Sequence, residues 1–516
     1  MGKQIPLAVT LLFVAMTTDI TAKTIVFVPP PLTSYFVYQS NVGAVLARMG
    51  HDVWICMPAS LVQKNLVQDK SVKILTYGEH LGDVVKMVYG NTRIAERFFE
   101  NETALEIKPW MDVSREMTKI ADLVLADQSF VEKVRSLKPD LIVLESILFN
   151  MNMVVLPYML NVPYAFIGTF HDAVLSKIPT SPATAPYPFG PLSDRMTFYE
   201  RLYSTLFYII LINLELFYDS SLVAKYAPHR PYKSINDLAA NAEVFIAEVD
   251  HILDYPRTTL PNSKLIGGSS ASPAKPLNGE FKKFVDESKN GIIVMSFGSS
   301  VTGVPSYITS KIASAFKMLD QRVVWNIDFV SPDPQQIMIS KWIPQNDLLG
   351  HEKTKLFVSH CGKNGQYEAL YHAVPILCLP IYGDQPYNSE RVVVKQLGLS
   401  ADMRTASADE LAAMMKELIN DKKYSENMKK ASKLYRELYK EPKQEAAYWL
   451  DHVVKHGGAY MRSSGQEMPW WQLVVLDVIA FLIAVVIFIF LMIYCLAKWC
   501  YHALRSGQRS VKRKGE

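Results

Sequence analysis

Residues 341–388 read KWIPQNDLLGHEKTKLFVSHCGKNGQYEALYHAVPILCLPIYGDQPYN. Within them "KLFVSH" has the short, apolar character of a buried strand and ends on Ser359 and His360. Gly362 and Gly365 then give a permissive turn, and "QYEALYH" continues as a helix. Strand, glycine turn and helix N-terminus together make an anion site, because the first amides lack partners and the helix dipole is positive there. His360 is placed to donate to a phosphate, with Asn364 on the same turn, and Glu368, about one turn into the helix, to accept from a ribose diol. Asp384 and Gln385 follow the next strand and carry the acceptors and donors that sugar hydroxyls need. Trp342 offers a stacking face for a planar base, and Gln345 an amide beside it. A second glycine turn after a strand, Phe297-Gly298-Ser299-Ser300, is expected to cover the phosphates from the other side.

Outward from this stretch the same strand–helix alternation recurs. "GIIVMSFGSS", "RVVWN", "QIMIS" and "VPILCLP" belong to its own half. "TIVFV" at 24, "DVWICM" at 52, "DLIVLE" at 140, "YAFIG" at 164 and "EVFIA" at 243 form an earlier set. Between the sets, "GGSSASPAKPLNG" (267–279) is dense in Gly, Ser and Pro and reads as a linker. The fold class expected is α/β: two doubly wound, Rossmann-like domains facing each other across a cleft, with ligand at the carboxyl ends of the strands.

The fixed spacings of Trp342, Pro344, Gln345, Asn346, His351, His360, Gly362, Asn364, Glu368, His372, Pro375, Pro380, Asp384, Gln385 and Asn388 resemble the signature of the UDP-glycosyltransferases, in particular the membrane-bound UDP-glucuronosyltransferase type. "SPATAPYPFGPLSDRMTFYERL" is similar to the family's Pro-rich segment on the acceptor side. The resemblance implies a GT-B architecture and transfer from UDP-glucuronate or UDP-glucose to a small lipophilic acceptor, with inversion. It implies that Trp342 stacks on uracil, Gln345 borders the nucleoside and Glu368 holds the ribose. Ser299, Ser359, His360, Gly362 and Asn364 then serve the diphosphate, and Asp384 and Gln385 the transferred sugar. No D-x-D sequence occurs, so no metal or other cofactor is expected beside the donor substrate. Homo-oligomers are compatible with the resemblance. Cys361 is a departure, since the family usually has Gly there; its side chain is expected to narrow the space beside phosphate.

The ends of the chain point to a membrane. Lys3, an apolar run from Ile5 to Met16 and small residues up to Ala22 read as a signal peptide; a buried first strand and a membrane span are the alternatives. Val478–Ala497 carries no charge and as a helix reaches about 30 Å, the thickness of the hydrocarbon layer. Trp470, Trp471 and Trp499 fit interfacial anchors. The tail beyond carries six basic residues and one acid, +5 against +4 for the whole chain, which places it in the cytosol and leaves a nearly neutral body in the lumen. No nucleic-acid footprint remains. "KRKGE" resembles a dilysine retrieval signal of the endoplasmic reticulum. Three cysteines outside the membrane and tail, Cys56, Cys361 and Cys378, are too few and scattered for a disulfide framework. Asn101-Glu-Thr is a glycosylation sequon. "LFYIILINLELFY" (206–218) is apolar around most of a helix; it lines an acceptor pocket, lies on a membrane surface or is a buried core helix.

The layout expected is a signal peptide over 1–22, an acceptor-binding domain over 23–262, a linker over 263–283 and a UDP-sugar domain over 284–440. A helical return and juxtamembrane segment over 441–469, a transmembrane helix over 470–497 and a basic tail over 498–516 complete it.

The first strand–helix turn, "PPPLTSYFVYQS", carries a puzzle. Ser34 can cap the helix, and Val42, Val45, Leu46 and Met49 give it an apolar face. The family's catalytic His, counted back from Gly50-His51, falls on Tyr35, and its orienting acid on Glu145. A phenol with a pKa of about 10 is about 0.1% ionised at pH 7, and a carboxylate beside it makes ionisation harder still. Three readings follow: a transferase for amines, thiols or acidic hydroxyls, or one that uses Glu145 or another residue as base; a transferase for ordinary hydroxyls with the base elsewhere, His171 being a candidate; or a membrane-anchored UDP-sugar-binding or regulatory protein.

Overall fold

The computed structural model describes residues 22–83, 94–100, 107–188, 190–213, 217–298, 301 and 303–512. The signal-peptide reading, the Asn101 sequon and Ser299 fall outside these residues.

Two all-parallel sheets carry the chain. The first contains β1 (Thr24–Val28), β2 (Asp52–Pro58), β3 (Lys73–Tyr77), β4 (Leu141–Glu145), β5 (Tyr164–Gly168), β6 (Phe245–Ala247) and β7 (Ser263–Leu265), in the order 3-2-1-4-5-6-7. The second contains β8 (Ile292–Ser296), β9 (Arg322–Asn326), β10 (Ile337–Ser340), β11 (Thr354–Ser359), β12 (Ile376–Cys378) and β13 (Gly398–Ser400), in the order 10-9-8-11-12-13. The central strands are buried from end to end, as helices on both faces of a parallel sheet require. Strand order reverses between β1 and β4 in one sheet and between β8 and β11 in the other. Their carboxyl ends open the crevices where such folds take ligands.

Several bounds differ from the sequence reading. Ser263–Leu265 is the last strand of the first sheet and Gly279–Asp286 is a helix, so the linker of 263–283 shrinks to the stretch between them. The first helix, Thr33–Arg48, has Leu32 at its N-cap with no side-chain bond, so Ser34 does not cap it. The return helix Pro442–His456 packs Ala446, Ala447, Leu450 and Val453 into the core of the first sheet, beside Val42 and Leu46.

The apolar helix near the C-terminus starts later than 470: Trp470–Leu473 is a separate turn, Val475 takes a left-handed φ of 52°, and Leu476–Ala503 is long and apolar enough to cross a membrane. The helix Phe198–Asn213 buries Ser204, Tyr208 and Leu211 and exposes Leu202, Leu206, Ile209 and Ile210, so it is neither a fully buried core helix nor a wall of the cleft.

Cys361 and Cys378 form a disulfide with a Cα–Cα distance of 5.3 Å, a single bridge that the sequence reading did not foresee and that is no framework; Cys56 is free and buried.

Candidate active site

Between the sheets lies a cavity of about 280 Å³ that draws on both switch points. One wall is built by the turn after β11. His360 follows the last strand residue, Ser359; Cys361 takes a left-handed φ of 60°, and the extended Gly362 opens the helix Lys363–Tyr371 with no side-chain cap on its first amides. Those amides are therefore available to an anion in the cavity, which Gly362, Lys363 and Asn364 all line. Gly362 is required sterically: a Cβ there would stand 2.4 Å from His360 Nε2. The ring also lies against Gly298, and burial pulls its pKa down to about 4, so the imidazole is neutral at pH 7.

The backbone beneath this turn is held from several sides. The Cys361 amide donates to Ser359 Oγ at 3.1 Å, and Asn388 Nδ2 donates to the Cys361 carbonyl at 3.1 Å. The disulfide turns the Cys361 side chain into the core towards β12. Its expected intrusion on the phosphate space is thus corrected: Cys361 is fully buried and does not line the cavity.

The other polar residues divide into two groups. Gln345 Nε2 donates to Glu368 Oε2 at 2.5 Å, and burial raises the Glu368 carboxyl to about 7. Trp342 is 70% exposed on the loop just before Gln345; it stands outside the cavity wall as an open aromatic face. Asp384 and Gln385 start the helix Gln385–Val394 and line the cavity. Asp384 accepts from Asn388 Nδ2, and burial raises its pKa. The Gln385 carbonyl oxygen is taken by the amides of Ile381 (2.8 Å) and Tyr382 (3.1 Å), leaving its NH₂ as the donor.

The facing wall is largely apolar, with Leu32, Tyr35, Trp110, Val113, Met117, Ile147 and Phe170, and carries the hydroxyls of Ser34 and Thr169. Trp110 reaches across to Tyr382 (ring centroids 6.3 Å) and to Gly383, where a Cβ would stand 3.3 Å from the indole. Tyr35 lines the cleft. One helical turn further in, Tyr38 packs edge-on to it at 6.0 Å. Tyr38 donates to Glu145, Gln39 Nε2 donates to the same carboxylate at 3.0 Å, and the Thr169 amide donates at 3.3 Å. Glu145 is fully buried and its pKa is raised well above the ordinary carboxylate value by burial and by nearby Glu248. The simple Tyr35–Glu145 pair expected from the sequence is therefore a longer arrangement, with Tyr38 on the acid.

His171 is corrected outright. It is buried among Ser146, Met151, Asp172 and Leu175 in a separate small cavity, and burial lowers its pKa to about 3. It does not face the cleft.

Lys363 and Trp110 line the cavity but escaped the sequence reading. Lys363 was visible as a cation between Gly362 and Asn364. Trp110 had no local signal, because only the fold carries its helix to the cleft. Among the described residues no group of three or more His, Cys, Asp or Glu side chains is placed to hold a metal ion.

Two Rossmann-like domains with an anion-binding turn facing an apolar wall define a GT-B glycosyltransferase. Solved structures agree on the fold. A UDP-glucosyltransferase from Polygonum tinctorium, described as capable of glucosylating indoxyl, superposes with a TM-score of 0.60 at 15% identity, covering 85% of this chain and 100% of that one. The calicheamicin glycosyltransferase CalG4 gives 0.59 at 14% identity, covering 85% and 99%.

The family is shown by sequence. The model described as "UDP-glucoronosyl and UDP-glucosyl transferase" matches residues 24–511, and the chain belongs to that family of enzymes. It is 29% identical to human UDP-glucuronosyltransferase 2B15 over 95% of both chains. It is 31% identical to mouse UDP-glucuronosyltransferase 1-2 over 84% of this chain and 82% of the relative.

Proposed function

We propose that this enzyme transfers glucuronate or glucose from a UDP-sugar to small lipophilic amines, thiols or acidic hydroxyls, with inversion at the anomeric carbon. The observation that carries the acceptor class is Tyr35, a phenol lining a largely apolar wall of the cleft together with the hydroxyls of Ser34 and Thr169, opposite the anion-binding turn. On this reading the uracil stacks on Trp342, Gln345 and Glu368 take the nucleoside, and Asp384 with the Gln385 NH₂ takes the sugar hydroxyls. The acceptor's nucleophilic atom attacks the anomeric carbon from the Tyr35 side, and the bond to the β-phosphate oxygen breaks on the other. The first amides of helix Lys363–Tyr371 and the His360 ring stabilise the departing charge, and no metal takes part.

The residues around Tyr35 supply little basicity. Glu145 is buried, its pKa is raised by burial and by Glu248, and its Oε2 oxygen is already taken by Tyr38 and Gln39. A nucleophile that loses its proton readily, or only after attack, suits such a site. The apolar helix Leu476–Ala503 fits a membrane anchor, and we place the body in the lumen of the endoplasmic reticulum from the basic tail beyond it.

The test is UDP release from a panel of UDP-sugars with amine, thiol, phenol and aliphatic alcohol acceptors. Turnover concentrated on amines, thiols and phenols supports the proposal. Equal turnover on aliphatic alcohols overturns the account of Tyr35.

A further inference from the structure

Trp110 belongs by sequence to the acceptor half, yet its indole rests on the donor half. The helix Ile107–Ala126 turns Trp110, Val113 and Met117 into the cleft along one face. The indole meets the Tyr382 ring at a tilt of 49° and lies over Gly383. Gly383 takes a φ of 73°, a conformation that favours glycine, and its missing side chain lets the indole settle on the loop backbone. Tyr382 in turn packs against the cores of both domains. The residue after Gly383 is Asp384, which lines the same cavity.

A second tether holds the start of this helix. Asp112 pairs with Arg97 at 2.9 Å, and the neighbouring Phe98 is buried in the core of the second sheet. Arg404 of the donor domain donates from Nη1 to the Phe98 carbonyl at 3.1 Å, and its guanidinium carbon lies 4.2 Å from the Phe98 ring centroid. An indole that moved off the loop would disturb these contacts as well as its own.

A flat surface fixed in this way selects by shape. The cavity is about 280 Å³, and Tyr35 and Phe170 supply its other aromatic rings on the acceptor wall. A planar acceptor lies along the indole and gains stacked or edge-on contact. A globular hydrocarbon body touches the same ring at few atoms and needs the indole to lift from a loop to which it is held. We infer that Trp110 is a specificity-determining residue for the acceptor: its indole, seated on the donor loop at Tyr382 and Gly383, favours acceptors with a flat aromatic body beside the nucleophilic atom. The inference rests on the reading of the apolar wall as the acceptor side, and adds the acceptor's shape to its nucleophile.

The experiment compares naphthylmethylamine with adamantylmethylamine, whose amino groups are alike and whose bodies are flat and globular. Calorimetry on the full-length protein in detergent, with UDP bound, gives the affinity of each amine; UDP release gives kcat/KM. Both are measured for the parent, Trp110→Ala and Trp110→Phe. The parent should prefer the flat amine. Trp110→Ala should cut that preference by about tenfold or more and leave UDP affinity within about twofold, and Trp110→Phe should keep most of the preference. A parent without the preference overturns the inference, as does a preference that Trp110→Ala leaves intact. Equal loss of both amines in Trp110→Ala, or a matching loss of UDP affinity, makes Trp110 a general prop and also overturns it. A parent that binds the flat amine in preference but releases no UDP fails the proposed reaction, and the affinities still support the role of Trp110. A parent that binds UDP and neither amine fails the acceptor-side reading, and the inference falls with it. Thermal unfolding of each variant shows that it is folded.

Discussion

The two faces of the cleft are built on opposite plans. The donor face comes almost entirely from two consecutive strand–turn–helix units, and its parts are fastened to one another: Asn388 to the Cys361 carbonyl, Gln345 to Glu368, Cys361 to Cys378. The acceptor face is gathered from distant segments, with Tyr35, Trp110, Ile147 and Phe170 each arriving on a different element. On the proposed reading one face fixes a polar, charged ligand through short-range geometry. The other presents apolar surface whose shape depends on packing. A substitution on the first should therefore affect every reaction alike, and one on the second should sort acceptors.

The sharpest way to break this contrast is His360→Ala. Turnover should fall about 100-fold or more with every acceptor, because on the proposed reading the ring serves the departing diphosphate. A loss confined to one acceptor class would dissolve the distinction. Tyr35→His should do the reverse. It should raise turnover on aliphatic alcohols by about tenfold and leave amine transfer within about twofold, read as kcat/KM across the panel.

A third effect should appear in stability. Cys361→Gly with Cys378→Ala removes a bridge across 17 residues, a loop whose closure is worth about 3 kcal/mol in the chain-entropy treatment. The Tm should drop, and UDP should bind about threefold or more weakly as the turn loosens. Unchanged UDP affinity would show that the hydrogen bonds alone hold it.

The fourth concerns pH. Glu368 has a folded pKa of about 7, above the ordinary carboxylate value. Its protonated form is thus favoured by folding, so its contribution is complete below about pH 4.3 and is lost as pH rises through 7. Glu368→Gln should flatten that decline, adding about 1–3 kcal/mol to unfolding stability at pH 8 relative to pH 5. Denaturant titrations of both proteins at the two pH values check it. The smallest effect is His171→Gln, which should alter kcat/KM less than twofold, since His171 faces a different cavity.

The same contrast explains what the sequence disclosed. The donor turn was legible because strand, glycines and helix are contiguous, so spacing alone placed His360, Gly362, Asn364, Asp384 and Gln385 around one cavity. The strands at 24, 141, 164 and 322 announced themselves by apolar β-branched runs. β7 (SKL) and β13 (GLS) are three-residue edge strands that lack the apolar run by which the equally short β6 and β12 showed in the sequence. The disulfide was illegible because β11 and β12 are neighbours only in the sheet. Tyr38 and Gln39 were missed as partners of Glu145 because a helix and a strand end more than a hundred residues apart must first be docked.

The return helix Pro442–His456 has a mechanical consequence. Although it follows the donor domain in sequence, it is stitched to the acceptor domain: Asp451 meets His51 at 2.8 Å, Arg462 meets Glu243 at 3.0 Å, and Gln466 donates to the Ser176 carbonyl at 2.8 Å. Lys177 holds the Met468 carbonyl at 3.1 Å, only a few residues before the apolar helix begins. The anchor therefore hangs from the acceptor half. With a bilayer as the mount, that half is the one tied directly to it, and the donor domain is joined to the mount only through that half.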